Sequence, residues 1–405
     1  MKILVICQYY HPEPFRLNDV CEELVRLGHE VTVVTGTPNY PEGEIYPGYE
    51  KGARKDETLN GVRVRRCRLI PRKTGNLRRL MNYFSFPISA KRFVLGKECA
   101  PEAGGDFDVV FVNQLSPVMM AEPGLRYGKK RGVPVVLYCL DLWPESVVAG
   151  GLRRGGFPFK VFSHISQKIY RRADRVLVAN RTFAGYLTEK TGVSPDKIAF
   201  LPQYAENVFG YSDPREPDGT VNLTFAGNVG AAQDLDTVIK AAALTRALPV
   251  TYHIVGGGTE LDRLRALAEE NGADNVVFHG RLPLSEMPEL YRTSDAMLVT
   301  MRDDPELNMT LPGKVQSYMA AGRPVIGAIN GEAARVISEA DCGYVSPAGD
   351  AAALAENVGR FCAGEATETL RMGKAAREYY EKHFDKSIFM KKLTEELLSA
   401  AENRK

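Results

Sequence analysis

Short runs of apolar and β-branched residues alternate with segments of helical periodicity along almost the whole chain. Continuous apolar strands interleaved with helices are typical of parallel sheets that helices cover on both faces. The pattern predicts two series of strands. The first series comprises residues 3–7, 31–35, 62–68, 109–113, 133–139, 176–179 and 198–201, and the second comprises 223–226, 251–255, 276–279, 296–300 and 325–328.

Between the two series, residues 203–220 are rich in Asp, Glu, Pro and Gly and show no sustained period, which indicates an interdomain linker. A helical pattern over 375–402 is broken near His383, and the break would let the last helix cross back. We therefore predict an α/β protein with two doubly wound, Rossmann-like domains, and expect ligands in a cleft between the carboxyl edges of their sheets. The predicted segments are 1–203, 204–384 and a crossing terminal helix over 385–405.

The first helix carries its own boundary signals. Asp19 and Glu22 have the spacing of a capping box, and an apolar stripe follows. Gly28 suits the left-handed residue that often ends a helix.

Composition is that of a globular protein, with 44% apolar and 25% charged residues over 405 positions, enough for two cores. The seven cysteines are scattered and never spaced as CxxC, so neither a disulfide framework nor a zinc site is expected, and a reducing cytosol fits best. The apolar run at the N-terminus is too short for a signal sequence, and no window approaches the ~18 uninterrupted apolar residues of a membrane span.

The net charge of +2 hides a basic block over residues 62–97, which contains eleven Arg or Lys residues and no Asp or Glu. Cations interleaved with aromatic residues suit an anionic bilayer surface. A helix pair, or a helix and loop, around Pro87 would direct Met81, Phe84 and Phe86 toward acyl chains. No nucleic-acid motif accompanies the block, while a solvated basic face stays open as the alternative. The predicted phosphate-facing cations are Arg78, Arg79, Lys91 and Arg92.

Six segments, in this order and spacing, resemble the family 4 retaining glycosyltransferases of the GT-B fold. They are QYYHPEPFRLNDV, GHEVTVVTGTPNYPEGEIYPGY, QLSPVMMA, LYCLDLWPES, FAGNVGAAQDLDTVIKAA and LPGKVQSYMAAGRPVIGA. The chain looks closest to the branch of capsule, O-antigen and colanic acid synthesis, which includes N-acetylfucosamine and fucose transferases. The resemblance covers residues 1–385 and implies a first domain that binds the acceptor and a second that binds a nucleotide-sugar donor.

In that family an Arg and a Lys of the second domain hold the donor diphosphate. The matching positions here are Asn228, which follows Gly227, and Gln233. Both are uncharged, so another residue must replace part of the positive charge that binds the diphosphate. Lys314, near the start of a helix whose N-terminus can face a phosphate, is our candidate for the replacement charge. A polar turn with a helix cap is the alternative for Asn228 and Gln233, and a solvated lysine for Lys314.

Four further residues are implied as donor contacts. Gly256 opens a three-glycine run that fits either a phosphate cradle or a close-packed turn, and Arg281 stands where relatives form the base pocket. Ser317 occupies the position of a ribose-binding Glu in many relatives, so Glu306 could serve the sugar from a shifted loop. Arg302 is a donor candidate for which a surface salt bridge is the alternative.

On the acceptor side, Asp141 follows an apolar strand, a placement more typical of function than of core. Its carboxylate could take the proton of the acceptor hydroxyl, with a helix N-cap as the alternative role and Glu145 as second choice. Front-face attack, the usual scheme for this family, needs no dedicated base because the leaving diphosphate assists. Asn113 and Ser116 are candidate acceptor contacts at a neighbouring strand end. Arg16, in the loop before the first helix, could reach the donor diphosphate or be a surface arginine.

The resemblance thus implies retaining transfer from a nucleotide-sugar to a polyprenyl-diphosphate-linked saccharide in bacterial surface polysaccharide synthesis. It implies UDP as the nucleotide of the donor, with GDP as the alternative. No DxD motif stands in a donor loop, so neither a metal nor another cofactor is expected. We expect a cytoplasmic protein, peripheral on the inner face of the plasma membrane, that binds no nucleic acid. Two alternatives stay open: a UDP-sugar 2-epimerase-like enzyme of the same fold and an inactive sugar-nucleotide-binding protein.

Overall fold

The computed structural model describes residues 1–71, 76–148, 152–216 and 218–403, and the side chains at 76, 77 and 79 lie outside the description. The chain forms two compact units. The first combines Met1–Leu201 with Met390–Lys405, and the second is Pro202–Phe389.

The first unit is built on an eight-stranded sheet. Its strands are β1 Lys2–Ile6, β2 Glu30–Gly36, β3 Asp56–Leu59, β4 Val62–Cys67, β5 Val109–Gln114, β6 Val135–Cys139, β7 Arg175–Val178 and β8 Ile198–Phe200. They lie in the order β3-β4-β2-β1-β5-β6-β7-β8, and every neighbouring pair is parallel except β3 with β4. Strand order reverses between β1 and β5, so the loops after these two strands lie at a topological switch point, where ligands of open α/β sheets bind.

The helices of this unit are α1 Arg16–Arg26, α2 Asn76–Val94, α3 Glu122–Arg131, α4 Glu145–Val148, α5 Phe157–Arg172 and α6 Arg181–Tyr186. The central strands are buried along their length, as expected for a parallel sheet between two helical layers.

The second unit has six parallel strands in the order β11-β10-β9-β12-β13-β14. They are β9 Val221–Ala226, β10 Val250–Val255, β11 Val276–Gly280, β12 Ala296–Thr300, β13 Val325–Ala328 and β14 Gly343–Ser346. Its helices are α7 Leu235–Leu244, α8 Leu261–Glu270, α9 Met287–Arg292, α10 Gly313–Ala320, α11 Gly331–Glu339, α12 Ala351–Cys362 and α13 Ala366–His383. Here the strand order reverses between β9 and β12, which places the switch point at the loops after those strands.

The last helix, α14 Lys386–Glu402, follows α13 after a two-residue break. Most of its length belongs to the first unit, where Glu396 accepts hydrogen bonds from Arg175 at 2.6 and 2.9 Å. In the described parts of the chain, no helix combines the length and apolarity needed to cross a bilayer.

The predicted capping box at the first helix is wrong. α1 begins at Arg16, after Phe15, so Asp19 lies inside the first turn and no side chain caps the helix. Asn18 instead shapes the preceding loop, because its side chain accepts from the His11 N–H and donates to the Glu13 carbonyl. Gly28 has a φ of 85°, as its predicted terminating role requires.

The predicted interruption at Pro87 is also wrong, because α2 runs through it as one helix. A proline in a helix removes one backbone hydrogen bond and destabilises the helix locally. Burial of Tyr83, Phe86 and Ala90 against the rest of the unit offsets that loss. Phe86 is therefore part of the core and does not face acyl chains.

Candidate functional site

In the second unit, the loop after β9 and the loop after β12 meet at the switch point. The Thr300 hydroxyl donates to the Gln233 carbonyl at 2.5 Å, and the Arg302 N–H donates to the Ala232 carbonyl at 3.0 Å. Gln233 and Arg302 thus lie at the carboxyl edge of the same sheet, as the sequence predicted.

Lys314 completes this corner. It is the second residue of α10, and its amine donates to the Gln233 side-chain oxygen. The amine lies 3.8 Å from the centre of the Phe225 ring, and a Cβ on Gly227 would be 3.0 Å from it. The structure therefore brings together the predicted residues Gly227, Gln233 and Lys314.

The electrostatics of Lys314 are unusual because, among the residues that the structure describes, no carboxylate forms an ion pair with its amine. Desolvation lowers the pKa of Lys314 to about 7. Gln233 and the ring of Phe225 provide dipoles and no negative charge. An anion arriving here would find a cation without a counter-charge, which is the arrangement that a diphosphate needs.

Gly256 has a structural role in a close-packed turn. The prediction that its backbone N–H contacts a phosphate is wrong. The Gly256 N–H donates to the Gly280 carbonyl at 2.7 Å, so it has no bond left for a phosphate. A Cβ there would be 1.7 Å from the Gly227 carbonyl oxygen, and φ is 147°. The close-packed turn is the correct interpretation. Arg281 is exposed beside Gly257, where its side chain is accessible to a ligand.

The remaining donor candidates differ in exposure and in their hydrogen bonds. Asn228 and Arg302 are exposed. The Glu306 N–H donates to Asp304, and its carbonyl accepts from Thr310, so the backbone of this loop is fixed.

Ser317 is buried on α10, and its predicted contact with the donor is wrong. Its hydroxyl hydrogen bonds to Glu206 at 3.1 Å and lies 3.3 Å from the Gly313 carbonyl. Sequence reasoning did not identify Glu206, because it lies in the polar segment that indicated a linker. The carboxylate missing from α10 is thus present beside it, on another segment of the same unit.

In the first unit, Asp141 follows β6 and is held by a buried network. Its backbone carbonyl accepts from Gln114 at 3.1 Å, from the Tyr170 hydroxyl at 3.3 Å and from the Cys139 thiol at 3.4 Å. Burial raises the pKa of the Asp141 carboxyl, and the Ser116 N–H that bonds to it opposes this effect. Because α4 begins only at Glu145, Asp141 is not the cap of that helix.

Glu145 has structural partners. Its carboxylate accepts from the Tyr186 hydroxyl at 2.8 Å and pairs with Arg154 at 3.3 Å. These contacts leave Asp141 as the better placed of the two candidate bases.

The other first-unit candidates are repositioned. Asn113 is buried within β5 and Gln114 ends the strand, so Asn113 does not offer its side chain to an acceptor. Ser116 accepts from the Trp143 indole at 3.0 Å, and its N–H bonds to Asp141, so it positions that carboxylate. Arg16 is the first residue of α1 and not a loop residue.

Glu13 is a site-shaping residue that sequence reasoning missed. It is 1% exposed, and its carboxylate accepts from the backbone N–H groups of Tyr10, Asn39 and Tyr40 at 3.2, 2.8 and 2.7 Å. Burial raises the pKa of Glu13 to about 7. It ties together the loops after β1 and β2. A Glu between two prolines has the sequence context of an exposed loop residue, so nothing in the sequence indicated that Glu13 is buried.

The described side chains among the predicted membrane cations differ in their surroundings. Arg78 is exposed, Lys91 is half-buried beside Ile88, and Arg92 lines a different cavity. The side chain of Arg79 lies outside the described residues. Leu80, Met81 and Ile88 are nevertheless exposed along α2, with Phe157 and Val161 exposed on α5.

A metal would need a group of hard or imidazole ligands. Within the ranges that the structure describes, no three His, Cys, Asp or Glu side chains are grouped in this way.

Comparison with known families accounts for both units. Residues 15–203 match the family described as Glycosyl transferase 4-like domain, and residues 220–363 match Glycosyl transferases group 1. The chain is 28% identical over 342 residues to WcaI of Escherichia coli (strain K12), a protein named for glycosyl transfer in colanic acid biosynthesis. That match covers 80% of this chain and 82% of WcaI.

Solved structures share the fold at low sequence identity. The sucrose-phosphate synthase of Thermosynechococcus elongatus has a TM-score of 0.74 at 17% identity, covering 98% of this chain and 99% of that one. Anabaena HepE, solved in complex with UDP and glucose, has a TM-score of 0.69 at 16% identity and covers 98% of this chain and 100% of its own.

Proposed function

We propose that this chain, which belongs to the glycosyltransferases of the GT-B fold, transfers a sugar from a UDP-sugar to a lipid-linked saccharide in bacterial surface polysaccharide synthesis. The observation that carries the proposal is the corner formed by Gly227, Gln233 and Lys314 at the switch point of the second sheet. A lysine that lacks a counter-charge, at the carboxyl edge of a doubly wound sheet, suits the diphosphate of the donor.

The choice of UDP is supported by HepE, whose structure contains UDP and glucose. The choice of pathway is supported by the name of WcaI, which refers to colanic acid. We infer a retaining reaction without a metal. Lys314 and the N-terminal N–H groups of α10 would stabilise the departing diphosphate, and Asp141 would orient or deprotonate the acceptor hydroxyl.

A transfer assay tests this proposal. The full chain is incubated with a panel of UDP- and GDP-sugars and a lipid-linked saccharide fraction, and both nucleotide release and labelled lipid are measured. Release of UDP with acceptor-dependent labelling is the expected result. Conversion of the donor without an acceptor would instead favour an epimerase-like enzyme. Binding of the donor without any turnover would favour an inactive binding protein.

The membrane part of the proposal rests on α2 and α5. Ile88 and Met81 are 53% and 45% exposed, and Phe157 is 80% exposed. Lys91 and Lys168 line the groove beside Ile88. Apolar side chains beside cations favour an anionic lipid surface, and contact with one would hold the enzyme on the cytoplasmic leaflet next to its acceptor.

We expect the chain to sediment with vesicles that contain phosphatidylglycerol and not with purely zwitterionic ones. Replacing all four predicted cations with Gln should release most of the bound protein, because each basic residue contributes ~1 kcal/mol at such a surface. The variant is Arg78→Gln, Arg79→Gln, Lys91→Gln and Arg92→Gln combined. Added salt should weaken binding, since exposed charges are screened over about 8 Å at physiological ionic strength.

The matched control replaces four exposed lysines elsewhere with Gln, at Lys129, Lys190, Lys240 and Lys374. It should sediment like wild type. Equal sedimentation of the two quadruple variants, or none by wild type, would mean that the basic block is a solvated face.

A further inference from the structure

A second cavity, distinct from the Asp141 and Lys314 sites, lies in the first unit. It has a volume of about 860 Å³ and opens beside Thr37 and Arg68, which directly follow β2 and β4. The Thr37 N–H donates to the Cys67 carbonyl at 3.1 Å, so the two strand ends are adjacent. The cavity is therefore at the carboxyl edge of the first sheet, the edge at which ligands of doubly wound folds bind.

The walls of this cavity are strongly basic. Six cationic side chains line it, at Lys51, Lys55, Arg65, Arg66, Arg68 and Arg92. Asp56 and Glu98 both pair with Arg65, and Glu57 pairs with Arg66, so four of the six cations have no carboxylate partner among the described residues. These four are Lys51, Lys55, Arg68 and Arg92.

Two of the cations are built into the floor. Arg65 and Arg66 are 9% and 4% exposed. Arg65 stacks on Phe93 at 4.6 Å, and Arg66 stacks on Tyr49 at 4.8 Å. The Nε–H of each is buried and donates no hydrogen bond. Buried guanidinium groups are costly unless their charge is compensated, and carboxylates pair with both of these. The positive charge available to an anion is therefore that of the exposed cations around the cavity, beside two arginines that packing holds in place.

We propose that this cavity binds an anionic group of the acceptor, namely the carboxylate or phosphate of a charged saccharide. The inference rests on the proposed transfer to a saccharide acceptor and adds that the acceptor is acidic near the reacting sugar. Arginine guanidinium groups recognise carboxylate and phosphate through paired hydrogen bonds, and the volume is in the range of small-molecule sites. The oxyanion could belong to an acidic sugar residue or to the diphosphate of the lipid carrier.

Binding measurements on the full chain distinguish these sources. Isothermal titration uses three probes: methyl β-glucuronide for the acidic sugar, inorganic pyrophosphate for the carrier, and methyl β-glucoside as the neutral counterpart. Saturating UDP is present, so that pyrophosphate does not occupy the Lys314 site. The test variant is Lys55→Gln with Arg68→Gln, which removes two exposed charges and leaves the buried arginines intact. The control is Lys129→Gln with Lys190→Gln.

We expect at least one anionic probe to bind wild type and the control, and to bind the test variant about tenfold or more weakly. The neutral glucoside should not bind. Binding of glucuronide alone assigns the cavity to an acidic sugar, and binding of pyrophosphate alone assigns it to the carrier. If neither anion binds, or if the test variant binds as well as the control, the inference is wrong. UDP binding is measured in separate titrations of the same three proteins without the probes. Failure of wild type to bind UDP would contradict the proposed function and not the inference about this cavity.

Discussion

Asp141→Asn is expected to lower turnover by about a hundredfold or more, which is the scale of losing a general base. The substitution keeps the shape of the side chain and removes its charge. The backbone at this position is fixed by Gln114 and Tyr170, so the variant side chain should stay in place. Donor affinity should stay nearly constant, because Lys314 belongs to the other unit.

The pH profile gives an independent test of this role. Burial raises the pKa of Asp141, so protonation should remove the base at a higher pH than for an exposed aspartate. Turnover of wild type should therefore fall as pH falls through that pKa, and the residual turnover of Asp141→Asn should lack this limb. The test measures the steady-state turnover of wild type and of Asp141→Asn as a function of pH, with saturating acceptor and without it.

Glu145→Gln is the matched control. Its carboxylate is already bonded to Tyr186 and Arg154, so we expect a loss of about tenfold or less, arising from loop geometry. Turnover of Asp141→Asn within about twofold of wild type would contradict the assignment, as would an equal loss in both variants.

Much of the architecture was predictable because buried parallel strands leave an uninterrupted apolar signal. The strands Ala296–Thr300 and Val325–Ala328 lie where the pattern placed them. Two strands were missed for a physical reason. β3 is a polar edge strand with the sequence DETL, and β14 is a half-buried four-residue strand that begins with glycine, so neither carries the apolar run.

The candidate site was predictable where polar or charged residues directly follow predicted strands. Gln233 and Lys314 are 81 positions apart, yet the order of strands and the family resemblance together brought them to one corner. Residues that act through burial left no such signal. The contact of Tyr170 with Asp141 depends on how α5 packs across the sheet, and the contact of Glu206 with Ser317 depends on the path of an irregular segment.

The second large effect concerns Lys314, whose pKa is lowered to about 7 by desolvation. A bound diphosphate supplies the missing negative charge and so raises this pKa in the complex. The diphosphate of a nucleotide-sugar stays ionised throughout the neutral range. Below pH 7 the amine is charged both before and after binding, and donor affinity should be level. Between the two pKa values binding takes up a proton, so affinity should fall as pH rises, by up to about tenfold per pH unit.

Lys314→Met removes the charge and keeps an apolar side chain against Phe225. At pH 6.5 it should weaken donor binding by roughly 1.5–3 kcal/mol, the scale of a charge-assisted hydrogen bond. Lys240→Met replaces an exposed lysine of the same unit and should bind the donor like wild type. Thermal unfolding of each variant verifies that it is folded.

The most direct test of a donor diphosphate at this corner is the dissociation constant of UDP for wild type, Lys314→Met and Lys240→Met. It is measured from pH 7 to pH 9, where the terminal phosphate of UDP, which titrates at about pH 6, is largely ionised. We predict affinity that declines above pH 7 for wild type and for Lys240→Met, and weak, pH-independent affinity for Lys314→Met. UDP binding by Lys314→Met with wild-type affinity and the same pH dependence would contradict the account, because the diphosphate would then be held elsewhere.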